Sequence, residues 1–398
     1  MIWRIVVDGW SIVTGAAVCA ALPGSIELFG LSFAAIFPVK RIVAMAATGT
    51  WRVAIVVPAH NEELSIASCV ESLLAADRGG MQVAIYVIAD NCTDNTATLA
   101  EAAGATVLQR INDAERGKGY ALHFAFTQLE PLADCFLVVD ADTSVAPKFL
   151  LAAAGALRDG AAAVQVRYLA RNAEDNTRTR LMALALRAFN VVRPRGRQNL
   201  GFSAGILGNG FGLRRETLAA VPYLASSVVE DLEYHLSLVR SGRRVIFVDE
   251  TAVFGEMPVR GKGVETQRSR WEGGRLRMLV DRGPGLLRDV LVGRLRCLEP
   301  LLELLLLPLA FHVVLLVVAV LSPLPIVREL ALVGFAVVLF HLLVTIVVGR
   351  GGWRDFVTLA SAPFYILWKL LLIPSLLRNA GSNHAWVRTS RNKEDDSD

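Results

Sequence analysis

What the chain lacks narrows its class before anything it contains. Its five cysteines, Cys19, Cys69, Cys92, Cys135 and Cys297, are scattered without CxxC spacing. That argues against a zinc site or a disulfide framework and suits a reducing cytosol. Glycine is present, but not in nucleotide-loop order. "ERGKGY" (115–120) lacks the earlier glycine of a Walker loop, and "GNGFG" (208–212) lacks GxGxxG spacing. Excess charge is scarce as well. The formal net charge is +4, and its basic part lies beside apolar segments, so no nucleic-acid partner is expected. There is no internal repeat, and the one low-complexity stretch is the polar tail "RNKEDDSD", whose composition is that of disorder.

Apolar residues are what the chain has in excess. They make up 54% of its 398 residues, the mean hydropathy is +0.45, and the surplus gathers at the two ends. "LLELLLLPLAFHVVLLVVAVL" (301–321) and "ELALVGFAVVLFHLLVTIVV" (329–348) each come close to the ~20 apolar residues that span a bilayer. Glu303 lies near the first end of the former, where it is expected to reach the headgroups. "FVTLASAPFYILWKLLLIPSLL" (356–377) is interrupted by Pro363, Lys369 and Pro374, so it reads as a third span or, better, a re-entrant or interfacial helix. At the front, residues 9–37 are apolar for long enough to cross once and too long for a signal-peptide core, so an anchor is expected.

Basic residues set the orientation. Lys40, Arg41 and Arg52 follow the first apolar segment, Arg350 and Arg354 follow the 329–348 segment, and Arg378, Arg388, Arg391 and Lys393 crowd the tail. The positive-inside rule then puts the middle of the chain in the cytoplasm. The expectation is a multi-pass protein of a bacterial inner membrane. Residues 1–50 form an anchor and linker, 51–260 a cytoplasmic α/β domain, and 261–298 an amphipathic interface segment. Residues 299–378 form further membrane or re-entrant helices, and 379–398 a polar cytoplasmic tail.

Between residues 50 and 250 strand and helix patterns alternate. "VAIVVPAHNEE" reads as a buried strand ending in a turn, and "ELSIASCVESLLAAD" puts Ile66, Val70, Leu73 and Leu74 on one helical face. "QVAIYVIADNCTDNT" is a second strand and turn in which Asp94 is placed to cap the next helix, which Gly104 stops. "ATVLQR" and "ADCFLVVDAD" are a third and a fourth strand. Short apolar strands joined by helices predict an open, mainly parallel sheet covered on both faces, with ligands beyond the carboxyl ends of its strands. His60-Asn61-Glu62, Asp90-Asn91, and Asp140 with Asp142 lie at those ends.

Asp140 and Asp142 raise a question of charge. If the fourth strand persists, both side chains project the same way, and two carboxylates so placed need a cation. Lys118, set between two glycines, is placed to meet an anion. Residues 226–242 read as a helix with Leu232, Leu236 and Val239 towards the core and Glu230 and Asp231 in the first turn. Negative charge there is favoured by the helix dipole alone. The arginine-rich segment 265–279, with Trp271, suits an interfacial helix on its own account. Residues 171–208 do not fit the sheet pattern and are expected as helices and loops against the membrane on the acceptor side.

Five motifs in this order, "PAHNEE" (58–63), "IADNCTD" (88–94), "DAD" (140–142), "VED" (229–231) and "QRSRW" (267–271), lie between the apolar ends. Together they resemble a membrane-bound family-2 glycosyltransferase, the inverting group that includes cellulose, hyaluronan and poly-N-acetylglucosamine synthases and ceramide glucosyltransferases. The resemblance covers roughly residues 50–275. It implies a nucleotide-sugar-binding domain of the GT-A type flanked by transmembrane helices. Pro58, Ala59 and Glu62 would line the nucleotide pocket and Asp90 would meet the base. Asp140 and Asp142 would hold the donor diphosphate through Mg²⁺ or Mn²⁺, the cation the twin acids require. Asp231 would be the general base, with Glu230 beside it. Gln267, Arg270 and Trp271 match QxxRW, the arginine serving the diphosphate and the indole the acceptor. Lys118 would add a phosphate contact, and Gly210 would give the acceptor close access to the backbone.

The expected activity is transfer of a sugar, with inversion, from a nucleotide sugar (a UDP-sugar by preference) to a lipid or glycan acceptor at the membrane. A processive polysaccharide synthase is the alternative, and a metal-dependent nucleotidyltransferase or phosphohydrolase a more distant one.

Overall fold

Apolar runs without a period of two predict strands covered on both faces, and the first strand obeys: residues 53–57 are each at most 2% exposed. The computed structural model describes residues 2–39, 50–225, 227–257 and 262–370, except for the side chains of 2–6, 262–272, 365 and 368–370. Lys40, Arg41, the end of the third apolar segment (371–377) and the tail with its basic residues lie outside the described residues.

The chain starts with a 35-residue helix, α1 (Ile2–Ile36). It continues through β1 (Arg52–Ala59), α2 (Ile66–Leu74), β2 (Gln82–Asp90), α3 (Thr96–Ala102), β3 (Thr106–Arg110), α4 (Lys118–Leu129) and β4 (Cys135–Val138). Next come β5 (Ser144–Val145), α5 (Phe149–Arg158), β6 (Ala163–Ala170), α6 (Thr177–Arg187), α7 (Arg193–Asn199), β7 (Phe211–Arg214), α8 (Arg215–Ala220), α9 (Glu230–Arg240) and β8 (Val245–Gly255). The C-terminal helices are α10 (Lys262–Leu291), α11 (Leu298–Leu305), α12 (Leu309–Val320), α13 (Pro325–Val348), α14 (Trp353–Leu359) and α15 (Ala362–Leu370).

The eight strands form one mixed sheet in the order β3-β2-β1-β4-β7-β6-β8-β5. The first four are mutually parallel, as expected. β7 then runs antiparallel to both β4 and β6, while β6 and β8 are parallel. One face packs on α2 and α5 through Ile66, Val70, Leu73, Phe149 and Leu157. The other packs on α4 and α9 through Leu122, Phe126, Tyr234 and Leu238. On α2 the apolar face takes Cys69 rather than Leu74, which is 37% exposed. The helix expected over 226–242 begins at Glu230 and is stopped by Gly242, whose φ of +81° suits a residue without Cβ.

Residues 171–208 form α6, a π-helical turn at Ala188–Val192, and α7. The turn follows from Pro194. With no N–H there and no room for its ring in a regular helix, the Arg193 N–H bonds Ala188 O, five residues back. This unit packs against α1 and α13.

Among the described residues two helices, Val7–Ile36 and Pro325–Val348, are long and apolar enough to cross a membrane. The segment 301–321, expected as a span, is not one straight helix; its two halves form a broken span or a re-entrant loop. α11 and α12 meet at 75° across Leu306–Pro308, because extended backbone at Leu306 and a proline at the α12 cap stop helix propagation. Glu303 reaches no headgroup; it is buried and ion-paired 3.1 Å from Arg197 Nη2. The 356–370 stretch is two short helices, α14 and α15, rather than a described span.

Gly196 on α7 touches α1 backbone to backbone, and a Cβ there would overlap the Leu31 carbonyl. Gly155 on α5 has open space around it. Gly196→Ala is therefore expected to destabilise by about 1–3 kcal/mol or more. Gly155→Ala is expected to be neutral or stabilising by up to ~1 kcal/mol. Thermal unfolding of both variants in detergent checks the contrast; equal melting points would refute the close packing.

Candidate functional site

The polar ends of β1, β2 and β4 turn into loops that meet at one rim, where an open parallel sheet leaves a crevice. Asn61 and Asn91 hold left-handed backbone (φ +55° and +51°) where the first two strands end, a conformation asparagine tolerates. Their loops are tied together: Asn61 Oδ1 accepts from Thr93 N at 2.8 Å, and Thr96 Oγ1 accepts from Glu62 N at 2.7 Å. The N-cap of α3 is Asn95 and not the expected Asp94, which precedes it and accepts from Thr96 N, while its other oxygen accepts from Glu63 N.

These loops open on a cavity of about 1370 Å³. Pro58, Ala59, Glu62, Asp90, Lys118, Asp140, Asp142, Glu230 and Asp231 all line it, so residues from five separate segments are brought together. Asp90 is buried and paired with Arg110 at 2.7 Å. Burial pushes its carboxyl up in spite of the guanidinium. β4 ends at Val138, so Asp140 and Asp142 stand on a turn beyond the strand, not on the strand itself. Lys118 opens α4, and its Nζ pairs with Asp140 while donating to Gly208 O at 2.5 Å. A positive partner from the chain already answers one of the twin acids.

Several supporting residues escaped the motif reading. Asn209 Oδ1 accepts from Asp140 N (3.2 Å) and its Nδ2 donates to Thr143 Oγ1 (2.8 Å). Gln165, fully buried in β6, donates to Asn209 O and accepts from Leu207 N. Together they fix the loop 207–210 against the aspartate turn. A glutamine inside the apolar strand "AVQV" was the available signal, since a buried amide must find partners.

Two glycines of this loop play different parts. Gly208 (φ +78°) lies on the cavity wall, where a Cβ would come 3.1 Å from Asp231 Oδ2. Gly210 (φ +69°) is buried away from the described lining, its missing Cβ making room for Val253 and Val166 at 2.7 and 2.8 Å. Gly210, where the acceptor was expected to approach the backbone, is thus not in the cavity lining, whereas Gly208 is. Gln267, Arg270 and Trp271 lie on α10, but their side chains are outside the described residues.

The same cavity is also walled by the apolar helices and the residues beside them. Arg193, Arg197, His235 and Arg275 give way to Leu306, Leu309, Val338 and Leu342. The space thus runs from an acidic rim, past Glu230 and Asp231, to an apolar interior between helices.

Burial raises Asp231, and burial together with the neighbouring Asp231 charge pushes Glu230 up to about 7. The folded protein therefore holds a proton at Glu230 that the unfolded chain has already released above its ordinary value of 4.5. Folding is weakened as pH rises through the window from about 4.5 to about 7. Glu230→Gln should melt a few degrees above the parent at pH 8, with the gain fading towards pH 4.5. Thermal unfolding across pH checks this; a gain that grows as pH falls would have the wrong sign.

Comparison with known proteins agrees with this geometry. The chain is 32% identical over 239 residues to a beta-monoglucosyldiacylglycerol synthase of Nostoc sp., covering 57% of this chain and 50% of that one. It is 28% identical over 303 residues to the enzyme of that name from Synechocystis sp., covering 70% and 60%. The chain thus spans about half the length of the curated relatives it matches. Its fold is similar to that of the mannosyltransferase PcManGT of Pyrobaculum calidifontis, solved with GDP-Man and Mn²⁺. That match has a TM-score of 0.56 at 16% identity and covers 94% of this chain and 100% of the other. The family model "Glycosyltransferase like family 2" matches residues 51–274, more than half of the sequence, and the chain belongs to that family.

Proposed function

We propose that the protein transfers a sugar from a nucleotide-sugar donor to an acceptor carried by a lipid. One observation carries this reading: the cavity holding the acidic rim continues without a break between apolar helices, to Leu306, Val338 and Leu342. A water-soluble donor suits the rim, and an acyl chain suits the interior. The names of the relatives, synthases of a glucosyldiacylglycerol, support the same class of acceptor.

Within this reading Pro58, Ala59 and Glu62 flank the nucleotide and Asp90 faces its base. Asp140 and Asp142 fit Mg²⁺ or Mn²⁺, since hard cations take carboxylate oxygens and often only one or two from the protein. Among the described residues no group of three or more acid, histidine or cysteine side chains is arranged to hold a metal ion by itself, so donor phosphate would complete the shell. When bound, the metal stabilises negative charge on the departing diphosphate. Lys118 orients Asp140 and offers its ammonium to the phosphates.

The acceptor hydroxyl attacks the anomeric carbon from the face opposite the diphosphate. A new carbon–oxygen bond forms as the bond to phosphate breaks, with inversion. Asp231 receives the hydroxyl proton. Its raised proton affinity, which burial supplies, makes it a stronger base than a solvated aspartate. The Asp140 carboxylate adds to that affinity by like-charge repulsion. Gly208 leaves room beside Asp231 for the approaching hydroxyl. Gln267, Arg270 and Trp271 are assigned to the diphosphate and the acceptor by the motif they match.

Asp231→Asn should lower transfer by about 10²–10⁴-fold while leaving UDP affinity unchanged. Asp142→Asn should lose both metal-dependent UDP binding and transfer. Product mass spectrometry in lipid nanodiscs, paired with UDP calorimetry, checks both variants. Full transfer by Asp231→Asn would remove the base assignment, and a ladder of additions would favour the processive alternative.

A further inference from the structure

The inner half of the cavity contains a charge that the proposed mechanism does not use. Arg193 opens α7 directly after the π-helical turn, lines the cavity and is 7% exposed. Its two guanidinium neighbours are answered by carboxylates. Arg197 is held by Glu299 and Glu303, and Arg275 donates to Glu303 O at 2.6 Å and lies 3.5 Å from its carboxylate. Arg193 has no such partner among the described residues. Its Nε is buried without a hydrogen bond, and its guanidinium lies over the Phe189 ring at 5.0 Å. Arg275 lies over the same ring at 5.4 Å.

The remaining carboxylate, Glu27, lies 3.8 Å from Arg197 rather than on Arg193. It acts on Arg193 only through space, as Glu303 does. Burial pulls Arg193 down to about 10, the mark of a cation short of compensation. A guanidinium beside apolar helices is costly unless it meets an anion, and arginine's planar fork matches phosphate oxygens two at a time. The π-helical turn required by Pro194 is what carries both Phe189 and Arg193 at this wall.

We propose that Arg193, with Arg275 across Phe189, binds a phosphate on the lipid that enters the apolar end of the cavity, so that the acceptor is a phosphate-bearing lipid and not a neutral one. This assignment rests on the lipid-acceptor reading above and narrows it. The phosphate sits at the polar boundary of the inner chamber, with the acyl chains against Leu306, Leu309 and Val338. Donor phosphate is served by the separate group Lys118, Asp140 and Asp142 at the rim.

The test uses the full chain in neutral detergent, titrated by calorimetry with dioctanoyl phosphatidate, dioctanoylglycerol, inorganic phosphate and UDP. The parent is expected to bind the phosphatidate roughly tenfold or more tightly than dioctanoylglycerol or inorganic phosphate. Arg193→Gln should erase the preference, Arg193→Lys should keep part of it, and UDP affinity should be the same in all three. No preference in the parent, or one that survives Arg193→Gln, overturns the proposal. So does inorganic phosphate binding as tightly as the lipid, which would mark a free-anion site. Weaker UDP binding in Arg193→Gln would give the residue to the donor and overturn it likewise. Should Arg193→Gln fail to fold, the parent's preference and its reduction in Arg193→Lys decide the matter. Transfer with a UDP-sugar is measured separately. A parent that binds phosphatidate selectively yet glycosylates no lipid would sink the transferase reading and leave the binding site standing.

Discussion

Arg197 is the residue through which the catalytic sheet and the apolar helices become one structure. It is 1% exposed and carries Glu299 and Glu303 of α11 in direct ion pairs, with Glu27 of α1 at 3.8 Å. Removing one partner from such a buried set leaves an uncompensated charge, a loss of about 3–5 kcal/mol. That interaction ties α7 to α11 directly and brings α1 beside them. The two walls of the inner cavity are thereby set on either side of one another. Without it the acidic rim and the apolar chamber would have no defined relation.

Around the cavity, electrostatic strain is retained where chemistry is proposed. Glu230 and Asp231 are adjacent, partly buried like charges at the start of α9, where the helix dipole alone does not offset their repulsion. Lys118 eases the rim by pairing with Asp140, and Gly208 permits the close approach of the neighbouring loop. Gln165 and Asn209 hold that loop rigid from beneath. Stability is given up at the acids and recovered in the buried cores of strands β1 and β4, a common division of labour at functional sites.

Much of the sheet was legible from the residues. β1, β2, β3 and β4 are apolar runs bounded by polar turns, and their parallel order follows from the helices between them. The antiparallel β7 was not legible, because "FGLR" is too short to carry a period of its own and its direction depends on the strands it joins. The break at Pro308 was visible as a proline, yet in a membrane segment a proline alone does not decide between a kink and a reversal of direction. Glu303 was misplaced for a similar reason. A glutamate at the end of an apolar run snorkels unless a buried cation is waiting, and Arg197 lies over a hundred residues away in the chain.

The site divides in the same way. Asp231 was singled out only by the motif it matches, since the helix dipole alone accounts for an acid there, but Asp90, Asp140 and Asp142 stand out in the sequence because an acid next to an apolar run needs a reason. Sequence order also sufficed to gather them, since ligands of parallel sheets lie beyond the strand ends. What the residues alone determined is therefore the chemistry of the rim and the presence of apolar helices at both ends. Only the tertiary structure decided that Gly208 and not Gly210 faces Asp231, that Arg193 lacks the partner its neighbours have, and that rim and apolar chamber share one space. Those facts depend on which distant segments come within a few ångströms, and local periodicity holds no record of such distances.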